Sequence, residues 1–350
     1  MSESKDTITE NSPEYKINTE KIDLILERGV ENKMAPGCSV VVTKEGKEIY
    51  SNSYGNFTNQ SRSPEVRVDT PFDLASITKL YTTALILSAQ ERGILNIDDE
   101  VQKYLPVVFA NSSLTITDLL THRADIDVYL SNLRKNPETF KESLFKVTVP
   151  EKAKKEAHYQ NITFIYLGKL LENVYGKSLS DLFKDFFKEN DLNNTYVGSV
   201  EAEKFNTPPT EVIKGKFIQN ITHDENARLL GGIAGHAGIF ASSKDLCKFG
   251  NLWLKGKIVA RDYLRKNVLR NYCIGKRSQG LGWNQDIYGY STQQLGVYLH
   301  TGFTGGLLAI DADQDIALSF LCNRVFYGRD NFKHRKVMED LIETVYKNSV

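Results

Sequence analysis

Ser76 and Lys79, in the tetrapeptide Ser-Ile-Thr-Lys, are the residues whose types and spacing first suggest chemistry. They open residues 76–92, which the sequence predicts to be a helix ending at Gly93, and side chains three positions apart share one helix face. A serine becomes a nucleophile when a base takes its proton, and a lysine is such a base only when burial or nearby positive charge lowers its pKa. The positive end of the helix dipole disfavours an ammonium and favours an oxyanion at the same place.

The S-x-x-K spacing alone is weak evidence, because it occurs by chance on many surface helices. Ser76 lies in the longer stretch T-P-F-D-L-A-S-I-T-K, and distinctive segments follow at residues 93–99, 104–106, 119–122, 159–161, 167–168, 235–240 and 300–302. In this order they resemble the motifs of the serine β-lactamase and penicillin-binding-protein superfamily, from about residue 36 to residue 323. The likeness is to the class C β-lactamase-related branch that includes esterases and DD-peptidases, and it implies a serine hydrolase.

The resemblance places Tyr159 and Asn161 at the family's Y-x-N motif. A phenol held near Lys79 can ionise well below its usual pKa of about 10, so Tyr159 is a candidate base for Ser76 and a later acid for the leaving group. Asn161 can donate and accept, so it is expected to fix Lys79 and hold a substrate amide. Each residue also has a structural interpretation: Tyr159 as a core aromatic residue, and Asn161 as a helix N-cap.

The resemblance also implies that residues 300–302, His-Thr-Gly, face the nucleophile from the end of a strand. Gly302 would let a substrate backbone approach, and the strand edge beside Thr301 would align an extended, peptide-like ligand. The amide of Phe303 would join that of Ser76 in an oxyanion hole. Many family members have lysine at the position of His300, where permanent charge favours a substrate carboxylate. A histidine weakens that requirement, which favours ester or amide hydrolysis over efficient β-lactam hydrolysis.

Other polar residues receive weaker interpretations. Residues 123–125, Arg-Ala-Asp, replace the family's usual T-S-G and are expected to border the cleft. His122 is interpreted as a structural, hydrogen-bonding histidine, and His236 as either a cleft-lining or a loop-packing residue. The segment 223–226, His-Asp-Glu-Asn, resembles a metal-ligand set, but no second cluster of suitable spacing supports it, so neither a metal nor another cofactor is expected.

Strand patterns at both chain ends indicate what carries these residues. Residues 38–43 and 48–50 predict a hairpin around a turn at 44–47, and residues 296–300, 307–311 and 316–323 predict three more strands. Helices are predicted at 19–30, with Ile22, Leu24, Ile25 and Val30 as its apolar stripe, and at 331–348, to cover the sheet.

Residues between the two ends are mostly helical in pattern, with helices predicted at 98–104, 164–174 and 179–187 and a capping box at 115–118. The predicted fold is α/β (α+β), of the β-lactamase/transpeptidase type, with an antiparallel five-stranded sheet flanked by helices. A disordered lead-in (1–17) would precede an α/β lobe (18–75 and 230–350) and a mostly helical lobe (76–229), with the active site between the lobes.

Composition narrows the classes of partner. Forty-four basic and forty-four acidic residues give zero formal charge, which disfavours nucleic acid or an anionic membrane as a partner. The four cysteines are far apart in sequence, and buried free thiols are expected. The N-terminal segment lacks an export pattern and no apolar run approaches about 20 residues, so a cytoplasmic location is expected unless the sequence was trimmed.

These observations together predict an acyl-enzyme hydrolase acting on small esters or on D-amino-acid-containing peptides or esters, as an esterase or DD-carboxypeptidase does. A β-lactamase is the second enzymatic hypothesis. The non-enzymatic hypothesis is a penicillin-recognising module that binds in the same cleft and acylates slowly or not at all.

Overall fold

The computed structural model describes residues 15–199, 206–275 and 278–347. The strands are β1 (Gly37–Lys44), β2 (Lys47–Gly55), β3 (Phe72–Asp73), β4 (Thr195–Val197), β5 (Glu211–Ile213), β6 (Lys216–Ile218), β7 (Ile239–Ala241), β8 (Asp286–Ile287), β9 (Tyr290–Ser291), β10 (Tyr298–Thr301), β11 (Leu307–Asp311) and β12 (Ile316–Cys322). The helices are α1 (Thr19–Glu31), α2 (Thr78–Glu91), α3 (Ile116–Leu120), α4 (Leu130–Leu133), α5 (Phe140–Leu144), α6 (Asn161–Tyr175), α7 (Leu179–Glu189), α8 (Glu225–Leu229), α9 (Ser243–Leu254), α10 (Arg261–Tyr263) and α11 (His334–Tyr346).

The largest sheet has five antiparallel strands in the order β10-β11-β12-β1-β2. The N-terminal hairpin therefore pairs directly with the last strand, and Cys38 on β1 faces Cys322 on β12. Helices α1 and α11 pack together, and their apolar residues share a core with one face of this sheet, while α9 contacts the sheet through β1, β11 and β12. This architecture confirms the predicted fold class. The lobe boundaries at residues 75, 76, 229 and 230 stay a prediction, and most of the lead-in at 1–17 lies outside the described residues.

Three sequence-based details differ from the structure. Leu24 is exposed, because the inward stripe of α1 is formed by Ile22, Leu26 and Gly29 instead. The segment 98–104 forms only a 3₁₀ turn, since the Val101 amide bonds to a carbonyl on a neighbouring segment.

Helix α11 begins at His334 rather than at residue 331. The Asn331 side chain is tied outside the helix, where it donates to the carbonyls of Lys33, Met34 and Arg324. These long-range contacts hold residue 331 in the connection that precedes α11.

Helix α2 is buried along nearly its whole length, including its threonines and Lys79. Tyr81 stacks on Phe249 of α9 with ring centroids 3.8 Å apart. Two threonines of α2 donate hydrogen bonds to backbone carbonyls. Thr82 donates to the Gly235 carbonyl over 2.7 Å, and Thr83 donates to the Lys79 carbonyl over 2.9 Å. Lys79 is the one charged side chain among the buried residues of this helix.

The expectation of buried free thiols is confirmed for Cys38, Cys247, Cys273 and Cys322. Within the described ranges, no helix combines the length and the apolar character that a bilayer crossing requires.

A close backbone contact joins α6 to the segment that precedes β7. A Cβ added to Gly235 would lie 2.1 Å from the Phe164 carbonyl oxygen, and one added to Gly168 would lie 2.9 Å from the Gly235 amide nitrogen. Glycine at both positions lets the 235–238 segment pass directly against α6.

We expect Gly235→Ala to lower the free energy of unfolding by about 3 kcal/mol or more, because the clashing atom is backbone and cannot rotate away. Gly93→Ala is the matched control: its φ of 68° strains alanine, but an added Cβ meets nothing within 4 Å, so a loss of about 1 kcal/mol is expected. Urea denaturation measures both. Equal losses would contradict the close packing of α6 against residue 235.

Candidate active site

Ser76 lies in a 3₁₀ turn, Ala75–Ile77, immediately before α2, and not within the α-helix itself. Ala75 has a left-handed φ of 44°, which is uncommon for a residue other than glycine. The turn is held by the Asp73 carboxylate, which accepts from the Ala75 amide over 2.8 Å, and by the Leu74 amide, which donates to Ile239 of β7 over 2.9 Å. These bonds over-determine the turn and hold Ser76 at the mouth of a cavity.

The Lys79 amine is the centre of the site. It donates to Ser76 Oγ over 3.0 Å, to Tyr159 OH over 2.7 Å and to Asn161 Oδ1 over 2.9 Å, and the His236 carbonyl oxygen lies 3.4 Å away. The predicted contact between Ser76 and Lys79 is therefore present, and residues from two distant segments join it.

Burial lowers the pKa of Lys79 from 10.5 to about 7, while the negative charge of Asp224 opposes this by favouring the ammonium. Burial or a nearby positive charge could lower the pKa of this lysine, and burial is the cause here. Near neutral pH the amine is therefore present in both charged and uncharged forms, so it can take up and release a proton.

Tyr159 is 44% exposed and faces the cavity, so its interpretation as a core aromatic residue is wrong. Its ring lies 4.6 Å from the His122 ring and 6.2 Å from the His300 ring, centroid to centroid. Asn161 is the first residue of α6, and Gln160 occupies the N-cap position, so the cap interpretation of Asn161 is also wrong.

The end of β10 forms the opposite wall. His300 is buried, with Nδ1 2.9 Å from the Thr301 carbonyl oxygen, and the cavity is lined by His300, Thr301 and Phe303. A Cβ at Gly302 would lie 2.4 Å from the Leu74 carbonyl oxygen. The glycine thus lets the end of β10 approach the turn that carries Ser76, and its role toward a substrate backbone stays a prediction.

A cavity of about 480 Å³ lies between these two walls. It is lined by residues that the sequence interpretation included (Ser76, Tyr159, Asn161, His300, Thr301 and Phe303) and by others that it missed. The missed residues include Tyr288, Arg324, Arg329, His334 and Arg335. Asp224, which the sequence indicated only as part of a metal-like set, also lines the cavity. The clearest available signal was the arginine-rich segment 324–335, directly after the last strand of the sheet.

Two of the cavity arginines are satisfied by protein groups. Arg329 forms ion pairs with Glu211 and Glu225, at 2.8 Å and 3.1 Å. Arg324 is buried and donates to backbone carbonyls, among them those of Phe303 and Asn331 at 2.8 Å and 2.9 Å. Burial lowers the pKa of Arg324 from its usual value.

Arg335 differs from both. Its guanidinium lies 4.4 Å from the Tyr288 ring centroid and 4.1 Å from the Phe332 ring centroid, and its Nε is buried with no hydrogen-bond partner among the residues described. Arg335 lines the cavity and has no carboxylate partner among the residues described, so its guanidinium can pair with an acidic group of a bound molecule.

The other histidines have protein partners. His122 is buried, and its Nδ1 accepts from the Gln160 amide over 3.2 Å, which fits the structural interpretation. His236 is fully buried and bonds to Asp224, so of its two interpretations the loop-packing one applies. His223 Nε2 lies 3.0 Å from Glu211. Over the described ranges, no group of three or more potential metal ligands is present.

Residues 123–125 do not line the cavity, contrary to expectation. Arg123 turns away to pair with Asp118, Ala124 is buried, and Asp125 bonds to His158 over 2.6 Å. Their influence on the site is therefore indirect, through the segment that leads to Tyr159.

Comparison with known proteins gives a consistent result. The family model described as "Beta-lactamase" matches residues 22–342. The chain is 24% identical to an N-acetylmuramyl-L-alanine amidase of Bacillus subtilis, over 87% of this chain and 80% of the amidase.

Two solved structures have a similar fold. A beta-lactamase/D-alanine carboxypeptidase of Pseudomonas syringae matches with a TM-score of 0.74 at 18% identity, over 93% of this chain and 98% of that one. EstCE1, described as a hydrolase with promiscuous acyltransferase activity, matches with a TM-score of 0.71 at 20% identity, over 94% and 98% of the two chains.

Replacing Lys79 by methionine is expected to stabilise the fold most at low pH. Between pH 7 and 10.5 the folded chain has released the Lys79 proton, whereas the unfolded chain retains it. The penalty for burying the ammonium is thus complete below pH 7 and fades as the pH rises toward 10.5. Relative to the parent, Lys79→Met should therefore gain about 3 kcal/mol more in free energy of unfolding at pH 6 than at pH 9.5, measured by urea denaturation.

The exposed Lys244 provides the control for this experiment. Lys244→Met should change stability by a similar amount at both pH values. If the two variants show the same pH dependence, the depressed pKa of Lys79 is wrong.

Proposed function

The chain belongs to the beta-lactamase family, whose model matches residues 22–342, and we propose that it is a serine hydrolase that forms an acyl-enzyme on Ser76. One observation carries this proposal: a buried amine, with its pKa lowered to about 7, donates to Ser76 Oγ and to Tyr159 OH at the mouth of a cavity. Catalytic sites commonly combine a perturbed pKa with a nucleophile in hydrogen-bond contact.

In the acylation step, Ser76 Oγ attacks a carbonyl carbon while its proton passes into the Lys79–Tyr159 pair. The backbone amides of Ser76 and Phe303 would stabilise the resulting oxyanion. As the tetrahedral intermediate collapses, the bond to the leaving alcohol or amine breaks, and the proton moves to the leaving group from Tyr159. Asn161 holds the Lys79 amine during this exchange, because its side-chain oxygen accepts from that amine.

In the deacylation step, water attacks the ester on Ser76, giving its proton to the same pair. Ser76 Oγ recovers a proton as the acid departs, which restores the starting state. The overall reaction consumes one water and breaks one ester or amide bond.

The proposed substrates are small esters or D-amino-acid-containing peptides or esters. The amidase of Bacillus subtilis and the carboxypeptidase of Pseudomonas syringae have amide-cleaving names, and EstCE1 is named as a hydrolase with acyltransferase activity. An enzyme that acylates a serine could act on either bond type. With His300 rather than lysine on β10, efficient β-lactam turnover remains the second hypothesis.

We further propose that Arg335 receives a carboxylate of the substrate. It lines the cavity without a carboxylate partner in the described part of the chain, and two aromatic rings fix its guanidinium there. The positive charge that is missing at position 300 is therefore available on another wall of the same cavity. A substrate with a free carboxylate, such as a peptide C-terminus, matches this arrangement.

We expect Ser76→Ala to reduce hydrolysis of a nitrophenyl ester by about a thousandfold or more, because no other group in the proposed mechanism can carry the acyl group. Initial rates with the ester, and gel labelling with a fluorescent penicillin, measure this. Ser113→Ala, which removes an exposed hydroxyl, should retain the parent rate. If Ser76→Ala cleaves the ester as fast as the parent, the nucleophile is wrongly assigned. Labelling without turnover would favour the recognition module, and fast cephalosporin turnover would favour the β-lactamase.

Arg335→Gln should raise the KM for a peptide substrate with a free carboxylate by about tenfold or more, which corresponds to one lost charge-assisted hydrogen bond. The KM for the matching C-terminal amide should stay nearly constant. Steady-state kinetics on both peptides provide the comparison. Lys336→Gln, which removes a neighbouring charge paired with Asp340, is the control. Equal effects of Arg335→Gln on the acid and on the amide would refute the carboxylate contact.

A further inference from the structure

Asp224 is a cavity-lining carboxylate that the proposed mechanism does not use. Its Oδ1 accepts from the Ala227 amide over 2.8 Å, as the N-cap of α8, and lies 2.9 Å from Nε2 of His236. The backbone carbonyl of His236 is in turn 3.4 Å from the Lys79 amine. One residue thus connects the carboxylate to the centre of the site, through its ring on one side and its backbone on the other.

The carboxylate of Asp224 remains ionised although it is largely enclosed. Burial acts to raise its pKa, but the charge and hydrogen bond of His236, the Ala227 amide and the charge of Lys79 outweigh burial and hold the pKa below its usual range. The His236 ring is fully buried, and its Nδ1 has no partner in the part of the chain that the structure describes. An ionised carboxylate only accepts hydrogen bonds, so Nε2 of His236 carries the hydrogen in the contact with Asp224.

Several titratable or charged groups surround Lys79 and Asp224. They are Tyr159 before α6, His122 after α3, His300 on β10, Asp73 on β3, His223 and Glu225 on either side of Asp224, and His236 before β7. Tyr159 is the group in direct contact with the amine, whereas Asp224 acts on it through space and through the His236 segment.

We propose that Asp224 is a positioning residue for Lys79. Its carboxylate anchors the His236 segment, whose carbonyl contacts the amine, and supplies negative charge that favours the ammonium form. This inference rests on the proposed function, since it concerns how Asp224 sets the proportion of ammonium and neutral amine at Lys79 in that mechanism. Asp224 touches neither Ser76 Oγ nor the reacting carbonyl in this scheme, so it is distinct from the catalytic residues.

The test is the pH dependence of kcat/KM for nitrophenyl ester hydrolysis by Asp224→Asn. Asparagine caps a helix as well as aspartate does and can keep a contact with His236, but it carries no charge. Loss of the charge makes the ammonium less favourable, so the limb of the profile that Lys79 controls should move down by about one pH unit. If the acidic limb moves down, the neutral amine is the base. If the basic limb moves down, the ammonium is the partner of a Tyr159 phenolate. Either shift supports the proposal.

Asp262→Asn is the matched control. Asp262 is an exposed carboxylate outside the cavity lining and pairs with Lys266, so this variant makes the same change of side chain away from the Lys79 centre. Its profile should coincide with that of the parent. An equal shift in both variants, or a fall in rate with Asp224→Asn at unchanged limbs, would overturn the proposal.

Asp224→Ser, also a good cap and uncharged, replaces Asp224→Asn if thermal unfolding shows that the latter does not fold. The parent enzyme separates this inference from the proposed function. If the parent shows no Ser76-dependent hydrolysis, the proposed function fails. If that hydrolysis is present and the limbs do not move, only the role of Asp224 is refuted.

Discussion

In the proposed mechanism the Lys79 amine must be enclosed and still exchange a proton, and most of the site can be understood from this constraint. An ammonium is expensive to bury, because protein groups replace its water shell incompletely. Here two hydroxyls, an amide oxygen and a backbone carbonyl surround the amine, and none of these four groups is a carboxylate. These four groups replace enough of the water shell for the folded protein to tolerate the ammonium, but not enough to keep the pKa of Lys79 at its usual value.

The surrounding elements are arranged to maintain that balance. Helix α2 is buried along nearly its whole length, so it shields the Lys79 amine from water and anchors it through Tyr81 and its aromatic neighbours. The turn before α2 stores strain at Ala75, and Asp73 holds it, with Thr304 donating to the Asp73 carbonyl over 2.6 Å. The carboxylate of the same aspartate accepts from the His223 amide over 2.7 Å, so the turn, the β10–β11 connection and the segment leading to α8 meet at one residue.

Sequence reasoning succeeded where local geometry decides the outcome. The contact between Ser76 and Lys79 follows from their spacing alone, and the strands at both chain ends follow from their alternating and β-branched patterns. Tyr159 and His300 were found only through the ordered motifs, because nothing local indicates which distant segments meet at Lys79.

The misses have a common physical origin. Arg335 is an ordinary charged residue in the sequence, and Asp224 lies in a segment that resembles a metal-ligand set; the rings around Arg335 and the contact of Asp224 with His236 are visible only in the folded chain. Helix α11 was predicted to start too early for the same reason, since Asn331 bonds to the far end of the chain. Helix propensity and local patterns depend on neighbouring residues in the sequence, so they do not indicate contacts of this kind.

The pairing of β1 with β12 also has a consequence for biosynthesis. The N-terminal hairpin leaves the ribosome early, but one edge of β1 has no strand to bind until β12, close to the C-terminus, has been made. During that interval the hairpin presents unpaired backbone groups and β-branched side chains, which is the situation that invites association with other chains. Closing so long a loop also slows folding, so the sheet that carries His300 is expected to form late. Chaperone dependence and a low yield of soluble protein at high expression rates would be natural properties of this topology.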